Sequence, residues 1–177
     1  MNLYEDIKRV IKRDITESDA VFEDFLNRLE EGNLTRDENT LTHFGVFFLP
    51  FNKKENKVFL VHHKKSGLWI APGGHIDKDE RLLEALNREI QEELGIERFF
   101  KEYPNPFLLT RTPIENKGHL CKVHYDFWHL METNGSNFKV DSAEFYITRW
   151  LSFDEARRMV ISPSNLKALE VLEKQNL

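Results

Sequence analysis

Apolar residues at the start of the chain recur with helical spacing. Leu3, Ile7, Val10 and Ile11 fall within residues 3–13, and Val21, Phe22, Phe25, Leu26 and Leu29 within residues 17–31, where Gly32 closes the second stretch. The polar run from Asn33 to Thr40 reads as a linker. From Leu41 the period shortens. Phe44 to Leu49 and Val58 to Val61 read as strands around a turn at Asn52 to Asn56, and Pro106 to Thr112 as another. Cys121, Val123, Tyr125 and Phe127 alternate with Lys122, His124 and Asp126, which predicts a strand with one apolar and one polar face. Phe145 to Leu151 gives a last strand. Asp154 to Val160 follows Phe153 as a short helix, and Ser164 to Lys174 closes the chain as a helix carrying Leu166, Leu169, Val171 and Leu172. The pattern predicts an α/β protein in two parts, a two-helix extension with linker over residues 1–38 and an α/β domain over 39–177. A chain of 177 residues suits one domain with a sizeable core and a short appendage.

Between the early and late strands lies the segment richest in chemistry. Pro72, Gly73 and Gly74 make a turn that calls for glycine, after which Asp77 or Asp79 can cap a helix beginning near Glu80, with Gly95 ending it. Leu83, Leu86, Ile90 and Leu94 fall on one stripe of that helix, and Glu89, Glu92 and Glu93 on an arc that starts opposite it. Three carboxylates so close repel one another unless a cation sits among them, and an all-oxygen set favours Mg2+ or Mn2+ over zinc. Glu80 lies within reach of the Arg88 guanidinium, which can hold it bidentately and so orient its neighbours.

Composition narrows the classes that remain. Acidic residues outnumber basic ones by 30 to 25, a net charge of −5 without a long basic run, which disfavours long nucleic acid as a partner. The single cysteine, Cys121, rules out an internal disulfide, reads as a small buried side chain and fits a reducing compartment. The acidic start Met-Asn-Leu-Tyr-Glu-Asp lacks the apolar core of a signal peptide, and no apolar run is long enough to span a bilayer, so a cytoplasmic protein is expected. His62, His63, Lys64 and Lys65 read as a solvated loop sooner than a phosphate contact, and His75 as a cover for the N-terminus of the acidic helix. His124 and Asp126 share the polar face of their strand, where they can line a cleft. His119 and His129 fall off that face or at its end. Arg111 reads as a surface residue. Without tight His/Cys spacing no zinc site is expected.

Written as a pattern, residues 74–96 are G-x5-E-x7-R-E-U-x-E-E-x-G-U with U aliphatic, filled by Gly74, Glu80, Arg88, Glu89, Ile90, Glu92, Glu93, Gly95 and Ile96. This resembles the Nudix box of the Nudix hydrolase family at every defined position. Leu68 to Gly74 is similar to the strand and loop that lead into the box, and the likeness extends loosely over residues 41–175. The resemblance implies a Nudix-type α/β/α sandwich with a mixed sheet. It implies Mg2+-dependent hydrolysis, with Mn2+ as the substitute, of a phosphoanhydride bond in a nucleoside diphosphate linked to another moiety, by water attack on phosphorus. On it, Glu89, Glu92, Glu93 and the Gly74 carbonyl are metal ligands, and Glu92 or Glu89 takes the water's proton. Glu80 and Arg88 orient the site, and Glu144, ahead of the Arg149-Trp150-Leu151 strand, completes it from a loop, with Asp141 as rival. The alternative is a non-catalytic Nudix-fold nucleotide-binding or regulatory module, against which the intact carboxylate set argues. An isomerase of related fold would need a cysteine motif that Cys121 does not provide. Loops Arg98 to Asn105 and Glu132 to Val140 are expected to shape the substrate pocket. A small phosphorylated, nucleotide-like substrate is expected, and whether the N-terminal helices complete the core or form a homodimer surface is left open.

Overall fold

The computed structural model describes residues 2–114 and 120–176. Two short helices come first: α1, Leu3–Val10, capped by the Asn2 side chain on the Glu5 amide, and α2, Asp19–Glu30, capped by Ser18 on the Val21 amide. The sheet strands are β1 (Thr42–Asn52), β2 (Lys57–His63), β3 (Trp69–Ile70), β4 (Gly73–His75), β5 (Leu108–Pro113), β6 (Val123–Glu132) and β7 (Phe145–Ser152). Helices α3 (Leu82–Leu94), α4 (Phe153–Met159) and α5 (Pro163–Asn176) complete the chain. All the strands placed from the sequence are present, and β1 is longer than its apolar run indicates.

The sheet is mixed. Its path runs β3-β2-β1-β6-β5, with β4 paired to β1 and β7 to β2, and among the described strands only β1 with β6 is parallel. β1 turns into β2 through a hairpin where Asn56 takes a positive φ of 52° and the Asn52 side chain accepts from the Glu55 amide. Side chains alternate across β1. Phe44, Val46 and Phe48 enter a core with Leu82, Ala85, Leu86, Ile90 and Leu94 of α3, whereas Leu49 and Phe51 join Trp128 and the α4 and α5 residues Phe153, Leu169 and Leu172. Helices on both faces of one mixed sheet make an α/β/α sandwich, as the sequence implies.

The N-terminal helices share the first of these cores. Ile7, Val10, Phe25 and Leu29 are buried in it, and the Phe25 ring lies 5.1 Å from that of Tyr125 and 5.8 Å from that of Phe127 on β6. Arg28, 2% exposed, leaves α2 to donate to the carbonyls of Gly32 (2.8 Å), Asn33 (2.6 Å) and Thr42 (2.8 Å), which fastens the 33–40 segment against the start of β1. That segment, expected as a polar linker, therefore buries Leu34 and Thr35. Among the described residues no helix is long and apolar enough to cross a membrane.

Candidate active site

Helix α3 starts two residues later than its sequence indicates. Asp79 adopts φ 67°, neither Asp77 nor Asp79 caps the helix, and the cap is Arg81, whose amide is held by the Glu84 carboxylate at 2.8 Å. Glu80 stays in the turn before the helix, where it accepts from the Asp77 amide (2.9 Å) and from Arg88 through Nε (2.7 Å) and Nη2 (3.0 Å). The bidentate Arg88–Glu80 pair expected from the sequence is formed, although the two residues are not two turns of one helix. Arg88 also donates to Glu89 (2.7 Å), to Glu92 (3.0 Å) and to the His75 carbonyl (2.8 Å). One guanidinium thus joins three carboxylates to the strand that precedes them.

Two of the three carboxylates on the arc are withdrawn from solvent, and Glu92 stays exposed. Glu89 and Glu93 are 9% and 3% exposed, because strand β4 closes over the side of α3 that the helical wheel leaves free of leucines. The buried stripe shifts with it: Leu82 and Ala85 are fully buried, while Leu83 is only half covered. Glu93 accepts from the Gly73 amide at 2.7 Å. Gly74 lies against Glu89 so closely that a Cβ there would stand 2.5 Å from Oε1. Gly73 has φ 137° and its missing Cβ makes room for the Val46 carbonyl, so the pair of glycines is what lets β4 lie flat on β1 and against both glutamates.

Burial raises the Glu89 carboxyl to about 7, with the Glu92 and Glu144 charges adding to the rise and Arg88 opposing it. Glu93 is pushed well above its ordinary range, again by burial first and then by Glu89 and Glu144. Glu144 is raised by burial, by Asp141 and by Glu92. The carboxylates therefore sense one another across the site, Glu144 from its own loop among them. Oxygen donors that are buried and mutually repelling, beside a glycine turn with no side chain in the way, fit a hard divalent cation such as Mg2+.

Gly74, Arg88, Glu89, Glu92, Glu93 and Glu144 all line one cleft of about 1250 Å³, and Glu80 stands behind Arg88 outside it. Asp141 Oδ1 accepts from the Ala143 amide at 2.7 Å in the turn that carries Glu144. The cleft walls come from Arg36, Lys65, Arg111, Leu120 and the start of α5 at Ser162 to Asn165. The loops 98–105 and 132–140, expected to form the pocket, do not line it, and Tyr103 from the first is instead half-buried, with its hydroxyl 2.7 Å from His129 Nε2. Arg111 pairs with Asp24 at 3.3 Å while facing the cleft, His62 stacks on Trp69, and Lys64 donates to the Ser142 carbonyl. His119 lies outside the described residues.

Several groups in the cleft carry no signal in local spacing. His43 on β1, His75 on β4 and His124 on β6 bring their rings to within 4.7–4.9 Å of one another, and Cys121 stands beside them. His75, expected to cover the helix terminus, belongs to this cluster, where burial and the neighbouring His124 and His43 press its imidazole down to about 2. Asp126 is 1% exposed; Thr112 donates to its Oδ2 at 2.6 Å while Oδ1 has no hydrogen-bond partner among the described residues, and burial raises the carboxyl to about 7. The polar face of β6 is thus a buried cleft wall. Gly45 leaves space there, since a Cβ would meet Asp126 Oδ1 and the Gly74 carbonyl, both at 3.1 Å. Only the pairing of β1 with β6 and β4, absent from any local pattern, brings these residues together.

A helix with this carboxylate and arginine set, packed under a mixed sheet between two helical layers, defines the class. Residues 41–172 match the family model for the NUDIX domain, and the chain belongs to that family of hydrolases acting on pyrophosphate bonds. It is 29% identical over 122 residues to the CTP pyrophosphohydrolase of Escherichia coli, an alignment covering 67% of this chain and 83% of that protein. It is 27% identical to Nudix hydrolase 6 of Arabidopsis thaliana over 124 residues, of which the match covers 66% of this chain and 41% of the relative's length. The crystal structure of a MutT NUDIX hydrolase from Burkholderia pseudomallei superposes with a TM-score of 0.61 at 21% identity, over 74% of this chain and 98% of that one. That likeness concerns the fold.

Proposed function

We propose that this chain is an Mg2+-dependent hydrolase of a phosphoanhydride bond in a nucleoside diphosphate linked to another moiety. The observation that carries the reading is the junction of Glu89 and Glu93 with the Gly73–Gly74 turn, two buried carboxylates held against backbone, with Glu93 on the Gly73 amide and a single guanidinium, Arg88, against Glu89. Glu89, Glu92, Glu93 and the Gly74 carbonyl would hold the cation, with Mn2+ as the substitute. When bound, such an ion supplies neutralisation of the phosphates and a water of lowered pKa. Arg88 keeps Glu89 and Glu92 aligned while Glu80 keeps Arg88 in place. Glu92, with a side chain 57% exposed and facing the cleft, accepts the proton from the attacking water; Glu89, pinned between Arg88 and Gly74, is less free to do so. Glu144 steadies that water from its loop. Lys65, Arg36 and Arg111 on the cleft wall offer positive charge to the phosphates and thereby select a small anionic substrate.

Among substrates, a nucleoside triphosphate is the first candidate, since the bacterial relative just described is a CTP pyrophosphohydrolase. A soluble nucleotide of this kind is met in the cytoplasm, where the reading places the reaction. The test is a panel of nucleoside triphosphates, nucleotide sugars, dinucleoside polyphosphates, ADP-ribose and 5′-triphosphorylated RNA, assayed for phosphate or nucleotide release with Mg2+ and with chelator. Metal-dependent turnover of one class supports the proposal. Saturable binding of nucleotide without turnover on any of them would favour a regulatory module instead.

A further inference from the structure

The cluster of His43, Cys121 and His124 on the cleft wall has the composition of a second, softer metal site. His43 and His124 face each other in the parallel register of β1 and β6, and Cys121 stands two residues before β6 begins. One ligand atom from each of His43, Cys121 and His124 lies within 4.8 Å of the others. Nitrogen and sulfur donors suit zinc and its neighbours and are poor ligands for Mg2+. We propose that His43, Cys121 and His124 bind one borderline-soft divalent cation, zinc in the first instance, independently of the carboxylate site on α3.

Geometry and hydrogen bonding both favour this over a packed histidine cluster. Zn–S of about 2.3 Å and Zn–N of about 2.05 Å at a tetrahedral angle set an N···S edge of about 3.6 Å and an N···N edge of about 3.4 Å. Cys121 Sγ and His43 Nε2 are 3.8 Å apart, close to that N···S edge, and the ligand atoms of all three residues lie within 4.8 Å of one another; His75 Nε2, outside the set, is 3.3 Å from His124 Nε2. His43 places its Nδ1 2.9 Å from the Asn39 carbonyl, so Nδ1 carries the proton and the Nε2 lone pair is presented to the thiol side. Ligating histidines are ordinarily held in that way by a carbonyl behind them. His43 is 1% exposed and the other two are half-buried, so His43 is already withdrawn from water. Three protein ligands leave a fourth position. A closed structural zinc site would fill it from the protein, whereas an open one can take a water or an atom of whatever occupies the cleft.

The spacing rule fails here for a plain reason. His43 and Cys121 are 78 positions apart, and they meet only because β6 lies parallel to β1. With metal bound, the start of β6 would be tied to β1.

The test is cobalt substitution of the full chain, produced without a histidine tag, stripped with chelator and kept reduced with a phosphine. One equivalent of Co2+ is expected to give a near-ultraviolet thiolate-to-cobalt charge-transfer band and visible bands of tetrahedral intensity, displaced by Zn2+ but not by excess Mg2+. Cys121→Ser, checked for native circular dichroism, should lose the charge-transfer band. Glu92→Gln should keep it while losing hydrolysis, which separates this site from the one proposed on α3. Absence of the band at stoichiometric Co2+ in the native chain, or a band of equal strength in Cys121→Ser, would overturn the proposal.

Discussion

Gly74→Ala is the most discriminating single perturbation of the box, because it adds one methyl group at a known place. The backbone of Gly74 does not sit in the positive φ region, so alanine incurs no conformational strain there. Its Cβ would stand 2.5, 2.7 and 2.8 Å from Oε1, Cδ and Oε2 of Glu89, against an ordinary contact of about 3.5 Å between such atoms. β4 is fixed to β1 by the Val46–Gly74 pairing, so the carboxylate has to retreat, by about 1 Å, away from the turn and against Arg88. Overpacking of this kind costs about 1–3 kcal/mol, which a domain of ordinary stability survives. A displacement of about 1 Å in a reacting group costs on the order of 10²-fold in rate. Gly74→Ala should therefore fold, melt a few degrees lower, and lose about two orders of magnitude in kcat on the best substrate of the panel. Gly73→Ala is the contrast: its φ of 137° and the Val46 carbonyl in the methyl's path predict no folded protein at all. The paired assays are a thermal melt and initial rates at saturating Mg2+. A Gly74→Ala protein with the wild-type rate would show that Glu89 is not positioned at the reacting centre, and the reasoning would fall.

Other consequences are independent of one another. Glu144→Gln should change stability by no more than about 0.5 kcal/mol yet slow turnover by roughly 10²-fold or more, whereas Asp141→Asn should act mainly on the turn; a large rate loss confined to the Asp141 variant in parallel assays would transfer the role. His129 is fully buried, with Nδ1 on the Phe47 carbonyl and Nε2 on the Tyr103 hydroxyl, and burial lowers it to about 4. Because the unfolded chain takes up that proton first, the contribution is complete above about pH 6.5 and is lost on acidification towards pH 4, about 3 kcal/mol in all. Denaturant titrations at several pH values read it, and a stability flat across this window would contradict it. Phe25→Ala removes a ring that touches Phe44, Tyr125 and Phe127 and should cost about 3–5 kcal/mol, so a truncation lacking residues 1–32 should fail to fold stably. A soluble, folded truncation altered only in substrate preference would instead place those helices at the cleft.

What could be read in the sequence follows the range of the interactions. The box was legible because Gly74, Glu80, Arg88, Glu89, Glu92 and Glu93 act within one turn and one helix, so their offsets are their geometry. The Arg88–Glu80 pair was legible for the same reason. Helix α3's start was not, since the side chain of Glu80 is taken by Arg88 and by the Asp77 amide and the backbone at Asp79 turns through positive φ before the helix begins. Nor was the burial of Glu89 and Glu93, because the helical wheel sees the leucine stripe and not the strand β4 that covers the other side. The amphipathic stripes of α1 and α2 were plain, but their destination against Tyr125 and Phe127 depends on tertiary packing. His43, Cys121 and His124 were invisible as a group, being joined by strand order alone.

The most direct measurement for the account compares Glu93→Gln with the native chain in two assays run side by side, Mg2+-dependent turnover and metal-free thermal stability. Glutamine keeps an acceptor for the Gly73 amide, now bonded to Glu93 Oε2 at 2.7 Å, but removes a buried charge facing Glu89 and Glu144. If the carboxylates exist to hold a cation, turnover should fall by two or more orders of magnitude while the metal-free melting temperature stays level or rises. A variant that turns over at the native rate in saturating Mg2+ would contradict the assignment of this site.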